Sequence, residues 1–194
     1  SFNLFLLSLT WAEPDKLFLK WEMDEPGSAR AQVTYASLLE QKTFPDNSVE
    51  HINRAIALRP RAIGLHLTKI RLVCEFGLDY ELAELEEELA AANQFDMGVL
   101  LAVERLIAID RDSNGLICEY SGYPISLNKI FFYIESADSI VWTATRTARY
   151  YALKSDFFAR KGDLDSSANA IDRAIVATPT VDLYLKKAVM LTSA

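Results

Sequence analysis

The chain of 194 residues has only two cysteines, two histidines, seven glycines and six prolines. Two cysteines cannot build a disulfide framework, and so little glycine and proline excludes a collagenous or low-complexity chain. Runs of alternating Val, Ile and Thr, the mark of half-buried strands, are missing. Basic residues are the minority, with 20 Lys plus Arg against 27 Asp plus Glu and a formal charge of −7. An acidic surface repels phosphate backbones and anionic lipid heads, so neither nucleic acid nor a membrane surface is an expected partner of this part of the protein. What the chain does have is apolar character: 51% of its residues are hydrophobic and 24% charged. That balance excludes disorder and suffices for a sizeable core.

The opening run Phe2, Leu4, Phe5, Leu6, Leu7 and Leu9 is strongly apolar, yet Pro14 and Asp15 follow too soon for a bilayer span of about 20 residues. No basic segment precedes it, as one would in a signal peptide. It reads as a core-docked helix, with the tail of a membrane span cut off upstream as the alternative. Ser1 stands where an initiator Met would, so the expectation is a fragment whose N-terminal part is missing.

Glycine and proline fall mainly at joints between stretches of helical periodicity, which makes the predicted class all-α. The spacing predicts helices over Pro14 to Met23 and from Ser28 to Gln41. Further helices run from Asp46 or Asn47 to Leu58, and from about Arg61 to Gly77. Ile63, Leu67, Ile70, Val73 and Cys74 give the last of these one buried stripe. Leu82, Leu85 and Leu89 continue the pattern. The segment Met97 to Ile109 is apolar on most sides, as in a helix sandwiched between neighbours. Beyond it, Asp110 to Tyr123 is polar and irregular. A short helix follows Ser126, a long one spans about Asp138 to Arg160, and another runs from the Gly162-Asp163 turn to Ala177. Val181 to Thr192 forms the last, either a cap or the first half of a further pair. About ten helices in pairs indicate a helical solenoid, its core distributed along the stack.

The segment Tyr151 to Pro179 resembles a tetratricopeptide (TPR) repeat. Tyr151, Ser155 and Phe158 match its first helix, Gly162 the turn, Ser167, Ile171 and Ala174 its second helix, and Pro179 the end of the unit. Lys154 departs from the pattern, which has leucine there. A second match comprises Tyr35, Ala36 and Leu39, then Ser48, Ile52, Ala55 and Pro60, with Thr43 in place of the glycine so that a different turn is expected. The two prolines lie 119 residues apart (179 − 60), about 3.5 repeats of 34, so the array between them cannot be regular. The resemblance implies a right-handed superhelix over residues 28–194, with matched units at about 29–60 and 148–179 behind lead-in helices at 1–27. It also implies a protein or peptide partner in a concave groove lined by the first helix of each pair. Groove candidates are Arg30, Ser37 and Glu40 in one unit and Arg149, Asp156 and Arg160 in the other. The family's carboxylate clamp for a free C-terminus is not reproduced.

The stretch Trp11, Leu17, Trp21, Pro26, Ser28, Ala29, Arg30 and Ala31 resembles the junction where polytopic bacterial envelope glycosyltransferases and O-antigen-ligase-like proteins pass into a C-terminal repeat region. This second resemblance implies a periplasmic tail of a membrane protein, attached only through the missing N-terminal part; a cytoplasmic location is the alternative. The leading expectation is a non-catalytic interaction module needing no cofactor. An accessory domain of a glycan-transferring enzyme is the runner-up.

The segment Asp110-Arg111-Asp112-Ser113-Asn114-Gly115-Leu116-Ile117 resembles the start of an EF-hand calcium loop, with oxygens at alternate positions. The closing glutamate is absent, because Ser121 occupies its place and Glu119 falls two residues early. An Asp- and Asn-rich loop is the favoured reading, with a calcium-responsive scaffold through Asp110, Asp112 and Asn114 as the minor one. Cys74 and Cys118 form the only possible disulfide; the default expectation is that they are buried and free. His51 and His66 have no zinc-ligand spacing and are expected on helix surfaces. The acidic run Glu81, Glu84, Glu86, Glu87 and Glu88 reads as a solvated helix face. No nucleotide-binding glycine loop, Gly-x-Ser-x-Gly elbow or His-Glu-x-x-His pair is present, and Tyr120 and Tyr123 have no histidine near them in sequence.

Overall fold

A computed structural model describes residues 13–96, 98–110, 116–118, 125–137 and 143–192. Ten helices account for most of them: α1 Pro14–Asp24, α2 Ala29–Gln41, α3 Pro45–Leu58, α4 Ile63–Phe76, α5 Leu82–Ala91, α6 Gly98–Ile109, α7 Leu127–Ser136, α8 Ala144–Arg160, α9 Leu164–Ala177 and α10 Val181–Thr192. The class is all-α. Two strands of two residues each, β1 Leu116–Ile117 and β2 Ile125–Ser126, pair antiparallel with Ile117 opposite Ile125, and both isoleucines are buried. Two residues are too few to show an alternation, so the sequence carried no signal for them. The apolar run Phe2 to Leu9, Trp11 and residues 138–142 lie outside the described residues. No described helix is long and apolar enough to cross a membrane.

Local chemistry sets most helix boundaries. Ser28 Oγ accepts the Ala31 amide at 3.3 Å, Thr143 Oγ1 that of Arg146 at 3.4 Å, and Asp163 Oδ1 that of Ser166 at 3.0 Å. The last bond favours the carboxylate form and holds Asp163 below the usual range. Gly77 ends α4 in the left-handed conformation at φ 63°. Helix α3 begins one residue before the expected Asp46 cap, because Pro45 is preorganised for the first helical position. One cap was not legible beforehand. Asp96 accepts the Gly64 amide at 2.9 Å through one carboxylate oxygen and the Gly98 amide at 2.6 Å through the other, capping α4 and α6 together. A Cβ on Gly64 would sit 2.7 Å from the Val99 nitrogen, so glycine permits this close approach.

Helices α2 and α3 form one hairpin and α8 and α9 another; α3 also packs on α4. The chief partner of α4 is α6 and not the next helix, α5. The 119 residues between the two prolines therefore hold two helix pairs, α4/α6 and α8/α9, with α5, α7 and the strands inserted between. Two readings of this middle section are corrected. Helix α4, expected to bury one stripe, is buried nearly all round, including His66, Lys69 and Arg71. Helix α6, expected to be sandwiched, exposes Leu101, Glu104, Arg105 and Ala108. Side-chain type misled here because the polar residues of α4 are buried against partners from other elements.

The core is likewise weighted to the middle instead of being evenly distributed. Ile63, Leu67 and Ile70 of α4 meet Leu89 of α5, Val103 and Leu106 of α6, Ile134 of α7 and Phe157 of α8 in one cluster, while the other buried apolar residues of the matched hairpins form only small satellites. Each fully buried aliphatic or aromatic side chain contributes about 1.5–3 kcal/mol relative to exposure. Phe131 sits at its edge, meeting Tyr150 and Phe157 edge to face at 6.0 and 5.3 Å. Burial, with the Glu135 carboxylate close by, pushes the Tyr150 hydroxyl far above its ordinary range. At the end of the chain, α10 seats Leu183 and Met190 on the last hairpin and exposes Val181, Tyr184, Leu185 and Val189.

Candidate functional site

Cys74 and Cys118 are joined as a disulfide, with 4.6 Å between their Cα atoms, which corrects the expectation of free thiols. The two lie 44 residues apart in sequence, and closing a loop of that length stabilises by about 4 kcal/mol on chain entropy. The bond fastens the segment after α6 to the central helix. Spacing alone could not show it, because the approach depends on how that segment returns to α4. Asp112 and Asn114 lie outside the described residues. Asp110, which does not, is 6% exposed at the end of α6.

Both histidines are buried, contrary to their expected surface positions. His51 Nδ1 lies 2.7 Å from Gln32 Oε1, and its ring meets Tyr35 at 4.9 Å. Burial lowers its pKa below 6.5, with Arg54 adding to the effect. His66 Nε2 is 2.8 Å from the Pro60 carbonyl oxygen. Among the described residues no group of three or more His, Cys, Asp or Glu side chains is placed to hold a metal. The acidic run on α5 is not all solvated either. Glu86 is buried, bonded by the Tyr133 hydroxyl at 2.8 Å and paired with Lys129. Glu88 takes Lys69 at 3.0 Å.

The groove candidates are tied into the fold. Arg30 is exposed and lies over the Trp21 ring at 5.8 Å, and Ser37 donates to the Val33 carbonyl one turn back. Glu40 is gripped by Arg71 through two bonds of 2.9 and 2.6 Å, with Arg105 at 3.3 Å. Arg149 meets Glu104 at 2.8 Å, Asp156 meets Lys186 at 2.6 Å, and Arg160 donates to the Ile107 carbonyl at 3.4 Å. Adjacent residues of α6, Glu104 and Arg105, thus bridge the first matched hairpin to the last. Arg30 and Ser37 are not drawn into that chain of charges.

The structure adds a place that the sequence did not single out. Between α7, α8 and α9 lies a cleft of about 220 Å³, lined by Glu135, Tyr151, Lys154, Phe158, Asn169 and Arg173 among others. Lys154 pairs with Glu135 at 2.6 Å. Arg173 donates to the Tyr151 hydroxyl at 3.1 Å and lies 5.3 Å from the centre of its ring, contacts that raise its already high pKa. Among the described residues no carboxylate lies within 4.0 Å of the Arg173 guanidinium. The repeat resemblance included Tyr151; its convergence with Arg173 on one cleft needed the pairing of α8 with α9.

The two hairpins can be compared position by position at the 119-residue offset. Ser48 Oγ donates to the Ala36 carbonyl at 2.9 Å, and Ser167 Oγ donates to the Ser155 carbonyl at 2.9 Å. The Thr43 amide donates to Glu40 O at 3.1 Å and the Phe44 amide to Leu39 O at 3.0 Å. Gly162 to Ala159 O and Asp163 to Phe158 O repeat these bonds at 3.1 and 3.0 Å. Thr43 has φ 63° and Gly162 φ 74°, so the turn expected to differ is the same turn, with threonine in a conformation that favours glycine. No protein-family model matches the chain, and no curated protein matches it.

Proposed function

We propose that the chain is a non-catalytic protein-interaction module built from TPR-like helix pairs and attached to a larger membrane protein. The observation that carries this reading is the hairpin used twice, with the same turn and the same buried serine bond at both ends of the array. Stacked hairpins of this kind present rows of first-helix side chains to one side, where a peptide can lie against a preformed surface. The Cys74–Cys118 disulfide supports a location outside the reducing cytosol, which fits an extracytoplasmic tail.

Photo-crosslinking in the cell that makes the full-length protein tests the reading. A photoreactive residue at Ser37 or Arg149, both exposed on first helices, is expected to give a discrete protein adduct. The same residue at Val176, exposed on the second helix α9, is expected to give none. Adducts of equal yield at all three positions, or none at any, would overturn it.

A further inference from the structure

The repetition of the first hairpin by the last extends to the wall of the cleft, and there the two ends differ in occupancy. Tyr151, Ala170 and Arg173 correspond at the 119-residue offset to Gln32, His51 and Arg54. In the first hairpin that place is filled by an acid from another helix. Glu22 of α1 accepts the Gln32 side-chain amide at 3.3 Å and lies 3.5 Å from an Arg54 nitrogen and 3.9 Å from His51 Nδ1, with its side chain only 13% exposed. Arg54 has a second acid, Glu50, at 2.6 Å.

Among the described residues the same arginine of the last hairpin has neither. Asn169 stands where Glu50 would, and Ala170 in place of His51 removes a ring and leaves room. The acid at the rim, Glu135, is drawn away to Lys154 at 2.6 Å and to the Tyr150 hydroxyl at 3.3 Å. Arg173 uses its bond to Tyr151 and keeps further N–H donors of its planar fork. The Tyr151 hydroxyl, accepting from Arg173, keeps its own proton to donate. Phe158 and Ala170 supply apolar surface beside these polar groups.

We propose that the cleft between α7, α8 and α9 binds one carboxylate side chain of a peptide partner, taken by Arg173 together with the Tyr151 hydroxyl and the Asn169 amide. The partner's recognised element is an Asp or Glu beside an aromatic residue, the chemistry that Glu22, with Trp21 against Arg30, supplies in cis at the first hairpin. Guanidinium–carboxylate bonds are charge-assisted and directional, which gives the cleft its preference for an acid over an amide. This proposal rests on the interaction-module reading and adds the site and the ligand class.

The probe is the blocked tetrapeptide acetyl-Lys-Trp-Glu-Met-amide, the Lys20–Met23 segment with a single carboxylate, titrated into the chain and followed by NMR. Saturable shifts at the Arg173 side chain and the Tyr151 ring are expected, with a Kd on the order of 1 mM for so small a ligand. The Glu-to-Gln version of the peptide is expected to bind roughly tenfold more weakly. In the protein, Arg173→Gln should abolish the shifts. Asn169→Glu should do the same by supplying Arg173 with an internal acid, as Glu50 supplies Arg54, while the amide spectrum elsewhere is unchanged. Equal binding of the acid and amide peptides, no shift at the cleft, or shifts confined to Arg54 or to the groove positions Ser37 and Arg149 would each overturn the proposal. Shifts at Ser37 and Arg149 would leave the interaction-module reading standing; that reading fails separately, by the crosslinking pattern.

Discussion

The first and last hairpins share a backbone scaffold and differ in how their seams are closed. In the first, Glu40 of α2 is held by the buried Arg71 of α4; in the last, the same two positions are Ala159 and Met190. Met190 sulfur lies 2.8 Å from Ser167 Oγ and 3.8 Å from Ser155 Oγ, so the last joint is made by a thioether against two hydroxyls. The turn, by contrast, is threonine in the first and glycine in the last, and the arginine of the second helix has an acid partner in the first and, among the described residues, none in the last. The same bond to the facing helix, from Ser48 in one hairpin and Ser167 in the other, is kept beside an ionic seam and beside a thioether seam. Function can therefore vary at the seams while the hairpin stays the same.

The largest test of this comparison exchanges the seams. Arg71→Met alone leaves Glu40, whose side chain is 18% exposed, without its bidentate partner and is expected to cost about 3 kcal/mol in chemical denaturation. Arg71→Met combined with Glu40→Ala copies the last joint into the first. It should recover most of that loss, because two buried charges are then removed together. A double variant no more stable than the single would show that the two seams are not interchangeable.

A smaller effect of opposite sign at the two ends is expected at the turns. Thr43→Gly relieves a β-branched residue at φ 63° and should stabilise by up to about 1 kcal/mol, less what the Thr43 hydroxyl gains from the Lys42 carbonyl at 2.6 Å. Gly162→Ala, with open space around the added methyl but φ 74°, should destabilise by about 1 kcal/mol. If both changes moved the thermal midpoint in the same direction, the turns would not be equivalent.

The smallest difference is in pH dependence. His51 is held neutral in the fold by burial, with a pKa below the 6.5 of the unfolded chain, so the unfolded state takes up its proton first on acidification. Its contribution is complete above pH 6.5 and is lost progressively as the pH falls from 6.5 toward the folded-state pKa. Ala170 at the matching position has nothing to titrate. His51→Gln should flatten the stability slope below pH 6.5, measured by urea denaturation at each pH. An unchanged slope would move its origin to another group.

Much of this architecture was legible in the residues themselves. The caps Ser28, Asp163 and Gly77, the breaks at Pro60 and Pro179, and the serine and alanine positions of the matched hairpins are local signals within one or two turns of helix. The candidate site was only partly so. Tyr151 was visible as a repeat position, but what sets the cleft with Arg173 apart from the first hairpin is Asn169 in place of Glu50 and Ala170 in place of His51. That comparison has meaning only once Glu22 is seen to fill the first hairpin.

The sequence alone settled the all-α class, most helix boundaries and the two matched hairpins, because backbone capping and apolar periodicity act between residues a few positions apart. Tertiary structure decided that α4 pairs with α6 across an inserted helix, that Asp96 caps both, and that Cys74 reaches Cys118. It also decided that Arg71, Lys69, His51 and His66 are buried. Except for His66, bonded to Pro60 six positions back, these side chains have a partner 19 to 44 residues away, and burial of a charge or a ring is set by such a partner and not by the type of the residue itself. The scarcity of histidine and cysteine concealed their use: both histidines and Cys74 are buried, the rings hydrogen-bonded and the thiol tied covalently to the partly buried Cys118.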